Sequence, residues 1–121
     1  MRRAWSALLA VVLGTTGGVL VASPAHAADA NYPGIAGDLN LWDDTFYTDT
    51  SKAFQYGAAD LHVFSFNDKA SSVVNKTDNY WLLFDDTWFE DRAMCVAPHS
   101  HYSNLGSAGF NDKTSSLAPY L

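Results

Sequence analysis

Short apolar runs alternate with polar turns along most of the chain. Aromatic and aliphatic residues cluster at Leu39–Trp42, at Tyr80–Phe84 and at residues 93–97, and Asp, Asn or Pro borders each run. Residues 71–74 form a further run, which the turn-forming residues 75–79 follow. After residue 28 no segment keeps an apolar period of 3.6 residues. The pattern therefore predicts short β-strands and not helices.

The pattern contains an internal duplication. Residues 66–73 (FNDKASSV) recur as residues 110–117 (FNDKTSSL), with six of eight positions identical. Upstream, residues 41–47 (LWDDTFY) recur as residues 83–89 (LFDDTWF), and the second repeat has two more residues between these blocks. About four strands per repeat at this spacing predict an all-β sandwich of two Greek-key motifs.

The first 27 residues differ from the rest of the chain. A positive start is followed by an apolar run to Ala22, and Ala25-His26-Ala27 has the small residues of a cleavage site. This pattern predicts a signal peptide at 1–27 and a secreted, extracellular protein, with a membrane-anchoring helix as the alternative. We then expect a loose leader at 28–37 and one domain at 38–121, with Greek keys at about 38–76 and 79–119.

Charge and composition exclude several classes of protein. The chain of 121 residues has 7 Lys+Arg and 13 Asp+Glu, and omitting Arg2 and Arg3 changes the net charge from −6 to −8. So acidic a chain is a poor ligand for nucleic acid or an anionic membrane, and we expect it to bind neither after the signal peptide is cleaved. One cysteine excludes a disulfide within the chain, so a domain this small needs an aromatic core or a bound ion for cohesion.

The duplicated block Asn-Asp-x-x-Ser-Ser offers ligands for a hard cation. Asn67, Asp68 and Ser71 place three oxygen-bearing side chains within five residues of a turn, and Ca²⁺ prefers such oxygens. A plain turn is the alternative, with serines capping backbone groups and with Lys69 and Lys113 neutralising the acids.

This block resembles the calcium-binding signature of the βγ-crystallin superfamily. The order of aromatic hairpin, Asp/Asn-Leu and signature over about residues 38–118 is also similar to that family's repeat. More narrowly, the chain resembles small secreted bacterial members of the β/γ-crystallin-type peptidase inhibitor family. The resemblance implies that the two repeats share ligands and hold about two calcium ions. The implied ligands are Asn67, Asp68, Ser71, Asn111, Asp112 and Ser115. Ser72 and Ser116 correspond to structural serines that bond to the folded hairpin of their own repeat.

One position departs from the family's repeat. A glycine is expected seven residues after the first aromatic of each hairpin, and Asp49 and Asp91 stand there. Aspartate adopts the left-handed backbone more readily than most residues, so the predicted fold stands while the hairpin geometry stays open.

Other candidate sites have simpler interpretations. Cys95, His99 and His101 form a C-x3-H-x-H cluster without a nearby fourth ligand, so we favour a buried thiol and two loop histidines over a zinc or copper site. A monomer is expected, although an unpaired cysteine in a secreted protein leaves a Cys95-linked dimer open. No nucleophile elbow or similar catalytic context is found, and the sequence predicts no enzyme.

The resemblance implies a peptidase inhibitor whose partner is an extracellular protease. Inhibition needs a rigid exposed loop, and the candidate is the longer segment of the second repeat at 98–104. The central residues of this loop are His99, Ser100, His101 and Tyr102. A killer-toxin-like antimicrobial factor and a calcium-binding structural protein without inhibitory activity are the alternatives, because a fold does not determine a function. The sequence does not determine which of its large aromatic residues form the core and which form a recognition face. The residues concerned are Trp42, Phe46, Tyr47, Trp81, Trp88 and Phe89.

Overall fold

The computed structural model describes residues 30–120, which form two antiparallel β-sheets. The strands are β1 (Leu39–Trp42), β2 (Ser51–Phe54), β3 (Ser72–Asn75), β4 (Tyr80–Phe84), β5 (Ala93–Val96), β6 (His101–Tyr102) and β7 (Ser116–Tyr120). The first sheet has the strand order β2-β1-β3-β6 and the second has the order β5-β4-β7. The predicted all-β fold is confirmed. The predicted signal peptide at 1–27 lies outside the described residues.

The helices among residues 30–120 are short 3₁₀ turns. They span Thr45–Tyr47, Leu61–Phe64, Thr87–Phe89 and Leu105–Ala108. None of them is long and apolar enough to cross a membrane.

The apolar pattern locates most strands to within one residue. β1 and β4 match their predicted runs, β3 begins one residue later than predicted, and β5 ends at Val96. β3 begins late because the Ser71 carbonyl accepts a hydrogen bond from Leu105 outside the sheet ladder. The pattern does not single out β2 or β6, because Ser51-Lys52-Ala53-Phe54 and the two residues of β6 form no apolar run.

The core lies between the two sheets and draws on both repeats. Alternate residues of β1 and β4 point inward, as the period of a strand requires. The buried apolar residues include Leu39, Leu41, Leu61, Phe66 and Val73 of the first repeat and Trp81, Leu83, Leu105, Phe110 and Leu117 of the second. Burying each such side chain contributes about 1.5–3 kcal/mol, so the duplicated apolar positions supply most of the cohesion.

Each repeat contributes backbone to the sheet of the other repeat. β6 of the second repeat pairs with β3, with Val74 opposite His101. In return, Ala58 of the first repeat forms a β-bridge with Leu117 of β7. The N–H of Leu61 also donates to the carbonyl of Ser115. Neither repeat therefore completes its hydrogen bonding without the other.

A buried asparagine joins the end of the first repeat to the second. Asn75 is fully buried, and its Nδ2 donates to the carbonyls of Asn79, Val96 and Ala97. Its Oδ1 accepts hydrogen bonds from the N–H and the hydroxyl of Thr77. The polar turn between the repeats is thus fixed by side-chain hydrogen bonds and not by apolar packing.

Both hairpins contain residues with left-handed backbone. Asp49 has a φ of 68° and Asp91 a φ of 66°, so aspartate takes the conformation for which the family's repeat uses glycine. The 3₁₀ turns add two aromatic pairs of the same kind, Phe46 with Tyr47 and Trp88 with Phe89. A left-handed residue costs about 1–2 kcal/mol, so other contacts must hold these hairpins.

The N-terminal segment, residues 32–37, packs against the first sheet, so the expectation of a loose leader is wrong for these residues. Asn40 lies in β1 and exchanges hydrogen bonds with the backbone of Ile35 at 2.8 and 3.1 Å. The Lys76 ammonium donates to the carbonyl of Tyr32 at 2.7 Å. Gly34 has a φ of 116°, and a Cβ there would lie 2.6 Å from Cγ of Asn40. The buried side-chain amide of Asn40 thus holds the N-terminal segment, and no sequence motif indicates this role.

We predict that Ser65→Gly stabilises the protein. Ser65 ends the turn Leu61–Phe64 with a φ of 56°, and at the equivalent place Gly109 has a φ of 73°. Glycine at position 65 removes the steric cost of this conformation, so the free energy of unfolding should rise by about 1 kcal/mol in urea titration.

The matched control is Gly109→Ala. An added Cβ meets no atom within 4 Å, so only the backbone conformation is penalised, and stability should fall. Equal stability of both variants and the parent would contradict the prediction.

Candidate functional site

The two Asn-Asp-x-x-Ser-Ser turns meet across the interface between the repeats. The Ser71 hydroxyl donates to Oδ1 of Asp112 at 3.1 Å, and the Ser115 hydroxyl donates to Oδ1 of Asp68 at 3.0 Å. The N–H of Asp68 also donates to the carbonyl of Thr114 at 3.0 Å. Each serine therefore meets the carboxylate of the opposite repeat.

A backbone carbonyl completes each group of oxygens. The hydroxyl of Ser115 lies 3.3 Å from the carbonyl of Lys113, and that of Ser71 lies 3.5 Å from the carbonyl of Lys69. Each serine hydroxyl thus lies within hydrogen-bond distance of one carboxylate and one carbonyl. A carboxylate, a hydroxyl and a carbonyl are three of the oxygen types that Ca²⁺ selects.

The two carboxylates of the turns are accessible to a cation. Asp68 and Asp112 are exposed, and their backbones are left-handed, with φ values of 56° and 54°. Within residues 30–120, neither Lys69 nor Lys113 forms an ion pair with them. The alternative in which these lysines neutralise the acids therefore has no support in the side-chain contacts.

The asparagines of the two turns differ in their surroundings. Asn67 is half-buried, and its enclosed Oδ1 has no hydrogen-bond partner in the described part of the chain. Asn111, its equivalent, is exposed. An enclosed carbonyl oxygen without a donor is costly unless a cation or water contacts it. The donor set of these turns therefore fits calcium.

The serines next to these turns fix the hairpins. The Ser72 hydroxyl donates to the carbonyl of Asp44 at 2.7 Å and accepts from the N–H of Tyr47 at 3.0 Å. In the second repeat, the Ser116 hydroxyl donates to the carbonyl of Asp86 and accepts from the N–H of Phe89. Because Ser71 and Ser115 belong to the oxygen groups, consecutive serines connect the hairpin to the turn in each repeat.

We predict that Ser72→Ala and Ser116→Ala each destabilise the domain. Each substitution leaves one half-enclosed N–H and one carbonyl without a partner, which costs about 1–3 kcal/mol. Urea unfolding followed by tryptophan fluorescence measures the loss. Ser107→Ala, at an exposed serine of a 3₁₀ turn, is the control and should change stability little. The role assigned to these hydroxyls is refuted if all three variants unfold alike.

The C-x3-H-x-H cluster does not converge. Nε2 of His99 lies 2.7 Å from Oδ1 of Asp78, whereas Nδ1 of His101 lies 3.2 Å from the hydroxyl of Tyr47. The described residues hold no group of three His, Cys, Asp or Glu side chains arranged to bind a metal ion. Cys95 is exposed on β5, so the expectation of a buried thiol is wrong. Its neighbours in sequence, Met94 and Val96, face the core instead.

Half of the predicted inhibitory loop is not a loop. His101 and Tyr102 form β6 at the edge of the first sheet. The carbonyl of Ser100 accepts a hydrogen bond from the N–H of Asn75, and the side chain of His99 is 10% exposed. These residues are held against the first sheet, because the longer segment of the second repeat supplies the strand that β3 lacks.

An aromatic cluster links the N-terminal segment to β6. The ring of Tyr32 stacks on that of His101 with centroids 3.8 Å apart, and it meets Tyr47 edge-on at 5.7 Å. Burial, together with the neighbouring Tyr32, raises the pKa of Tyr47.

A separate pair lies at the start of the turn Leu61–Phe64. The ring and the N–H of His62 both bond to the carboxylate of Asp60, and these contacts lower the pKa of Asp60.

Each hairpin displays an exposed aromatic ring at its tip. Phe46 and Trp88 are 67% and 68% exposed, whereas Trp81 belongs to the core and Trp42 is buried against Tyr47 on the other face of its sheet. The N–H of Trp88 donates to the carbonyl of Ala59 at 2.7 Å, which fixes the backbone of the tip. The duplicated sequence marks both hairpins but gives no signal of which ring points outward.

The second hairpin combines an apolar tip with acidic flanks. Trp88 and Phe89 are both exposed, and the carboxylates beside them belong to Asp85, Asp86, Glu90 and Asp91. Asp85 is paired with Arg92 at 3.3 Å. The first hairpin is different, because Tyr32 packs on its Tyr47.

The sequence of the chain is similar to a known protein family and to a known relative. The sequence model of peptidase inhibitor family I36 matches residues 27–96. A βγ-crystallin of Ciona intestinalis is 32% identical over 76 residues, which cover 63% of this chain and 88% of that protein.

Solved structures agree with these sequence matches. A structure of βγ-crystallin from Ciona intestinalis superposes with a TM-score of 0.64 at 29% identity, covering 69% of this chain and 100% of that one. A βγ-crystallin from an archaeon gives a TM-score of 0.58 at 22% identity, with coverage of 71% and 100%. At that lower identity the likeness concerns the fold alone.

Proposed function

Because the chain belongs to peptidase inhibitor family I36 within the βγ-crystallin superfamily, we propose that it is a secreted, calcium-stabilised inhibitor of an extracellular peptidase. The family match carries the inhibitory part of this proposal. The crossed Ser–Asp contacts between the repeats support the calcium part.

Calcium would act here as a bridge between the repeats. A bound calcium ion would supply positive charge, and the carboxylates of Asp68 and Asp112 would coordinate it together with the serine hydroxyls and backbone carbonyls. The turns belong to different repeats, so ligands on both sides would resist separation of the two Greek keys. Neutralising these carboxylates would also reduce repulsion within an acidic domain.

The second hairpin is the best candidate for contact with the peptidase. An inhibitor loses affinity when its contact segment must be ordered on binding, so a pre-ordered segment is favoured. Ser116 and Ala59 already hold the backbone of Phe89 and Trp88. Trp88 could fill an apolar pocket while the flanking carboxylates meet a positively charged rim, since large aromatic residues often dominate binding energy.

We predict that the protein binds about two calcium ions through the crossed turns, each held by oxygens of both repeats. Isothermal titration calorimetry should give this stoichiometry for the parent and no binding for Asp68→Asn/Asp112→Asn. Calcium should also raise the melting temperature of the parent and leave that of the double variant unchanged.

Asp49→Asn/Asp91→Asn is the control for charge and backbone conformation. It removes the same two charges at equivalent hairpin positions that are also left-handed, and asparagine tolerates this conformation. This variant should bind calcium like the parent. Absence of binding to the parent at millimolar calcium would refute the site.

We predict that Trp88→Ala weakens inhibition of the target peptidase at least tenfold, the loss expected for an anchoring tryptophan. The target is first found by assaying the parent against secreted serine, cysteine and metallo-peptidases. The inhibition constant of each variant is then measured with that enzyme.

Phe46→Ala is the control, since Phe46 is equally exposed at the equivalent position of the first hairpin. It should keep the inhibition constant of the parent. Equal loss in both variants, or loss only on substitution of Tyr102, would place the contact elsewhere. Inhibition of no peptidase, together with calcium binding, would instead favour a structural role.

A further inference from the structure

The tip of the second hairpin is attached to the first repeat. The N–H of Trp88 donates to the carbonyl of Ala59, and the N–H of Val63 donates to the next carbonyl of the chain, that of Asp60. Trp88 and Val63 therefore bond to consecutive residues of one segment. Their side chains are 68% and 78% exposed, so this contact brings together two apolar side chains that lie on the protein surface and come from different repeats.

The same arrangement of backbone occurs at the first hairpin. The N–H of Phe46 donates to the carbonyl of Ser103 at 2.8 Å, and the N–H of Ser107 donates to the carbonyl of Asn104 at 3.1 Å. The duplicated fold thus builds two equivalent places where a hairpin tip meets a 3₁₀ turn of the opposite repeat. Because the backbone contacts are the same, any difference in function must come from the side chains.

The side chains of the two turns differ in size and polarity. Val63 and Phe64 stand where the second repeat has Ser107 and Ala108. Phe64 meets Phe54 edge-on at 5.3 Å and is still 41% exposed. The turn itself does not require these apolar residues, because the equivalent turn forms with serine and alanine, and a cluster of exposed apolar side chains is typical of an interaction site. We call the surface formed by Val63, Phe64 and Trp88 the composite surface, and the one formed by Phe46, Ser107 and Ala108 the counterpart surface.

Carboxylates flank the composite surface in sequence. They belong to Asp60, Asp86, Glu90 and Asp91. Arg92 is paired with Asp85 at 3.3 Å, so these four carboxylates leave the surroundings negative. Two of the four have no equivalent at the counterpart surface, where Asn104 and Thr48 stand at the positions of Asp60 and Glu90.

We propose that the target peptidase binds the composite surface, so that inhibition uses residues of both repeats; this rests on the proposed function and extends it from the second hairpin to a turn of the first repeat. The complementary partner is a peptidase with an apolar pocket bordered by lysine or arginine. The apolar side chains fill such a pocket, and the carboxylates speed association with its positive rim and disfavour acidic partners.

The composite surface is assembled before the partner arrives. The bond from Trp88 to Ala59 fixes the hairpin tip on the first repeat, and the N–H of Leu61 donates to the carbonyl of Ser115 at 2.9 Å, which fixes the turn on the second repeat. The spacing between the apolar side chains is therefore set by the packing of the two repeats. A surface that is already ordered loses little conformational entropy when it binds.

Val63→Arg and Ser107→Arg test the apolar part of the surface. They place the same long, positively charged side chain at equivalent exposed positions of the two turns. With the peptidase found in the screen, Val63→Arg should raise the inhibition constant at least about tenfold, whereas Ser107→Arg should keep the value of the parent. Urea unfolding verifies that both variants are folded.

Asp60→Asn/Glu90→Thr tests the charge. These substitutions give the composite surface the residues of its counterpart, and the side chain of Asn104 shows that asparagine can bond to the first turn of the helix as Asp60 does. Association with the peptidase at low salt should become at least about threefold slower. Asp44→Asn/Asp49→Asn removes two charges from the first hairpin, controls for net charge, and should associate like the parent.

The outcomes separate this surface from the proposed function. Inhibition of no peptidase would overturn both together. Inhibition by the parent that Val63→Arg leaves unchanged, or that Ser107→Arg weakens equally, would overturn the composite surface alone. Equal slowing of association by the two double variants would refute the pairing of its carboxylates with the partner.

Discussion

The reciprocal completion of the two repeats is the constraint on which the rest of the structure depends. β6 extends the first sheet, and the bridge between Ala58 and Leu117 extends the second. The same exchange brings Ser71 to Asp112 and Ser115 to Asp68. The candidate cation site is therefore a consequence of how the two repeats pack together. An ion bound there would stabilise the contact between the repeats.

Backbone strain is concentrated in the hairpins and in the turns between strands. Phe46, Tyr47, Asp49 and their equivalents in the second repeat are left-handed, and so are Asp68 and Asp112. The hydroxyls of Ser72 and Ser116 compensate by satisfying hairpin backbone groups that could otherwise bond only to water. The strained segments are also those that display Trp88 and the turn carboxylates, which agrees with the common placement of strain at functional surfaces.

The sequence predicts the features that repeat and misses those that differ between the repeats. The duplicated Asn-Asp-x-x-Ser-Ser block and the aromatic hairpins are visible as pattern, and so is the all-β fold. The strand β6 is not, because its two residues form no apolar run and gain their role from pairing with β3. The packing of residues 32–37 depends on the buried amide of Asn40, and the exposure of Cys95 depends on strand register. Such contacts join residues far apart in sequence, and a linear pattern carries no record of them.

The attachment of the N-terminal segment to the first sheet has a consequence for proteolysis near the N-terminus. Residues 32–37 supply backbone partners for the buried amide of Asn40 and for the ammonium of Lys76. Removing these residues would take hydrogen-bond partners from both side chains, and each buried polar group left without a partner costs about 1–3 kcal/mol. A chain that started at residue 38 would therefore be a less stable domain and not merely a shorter one.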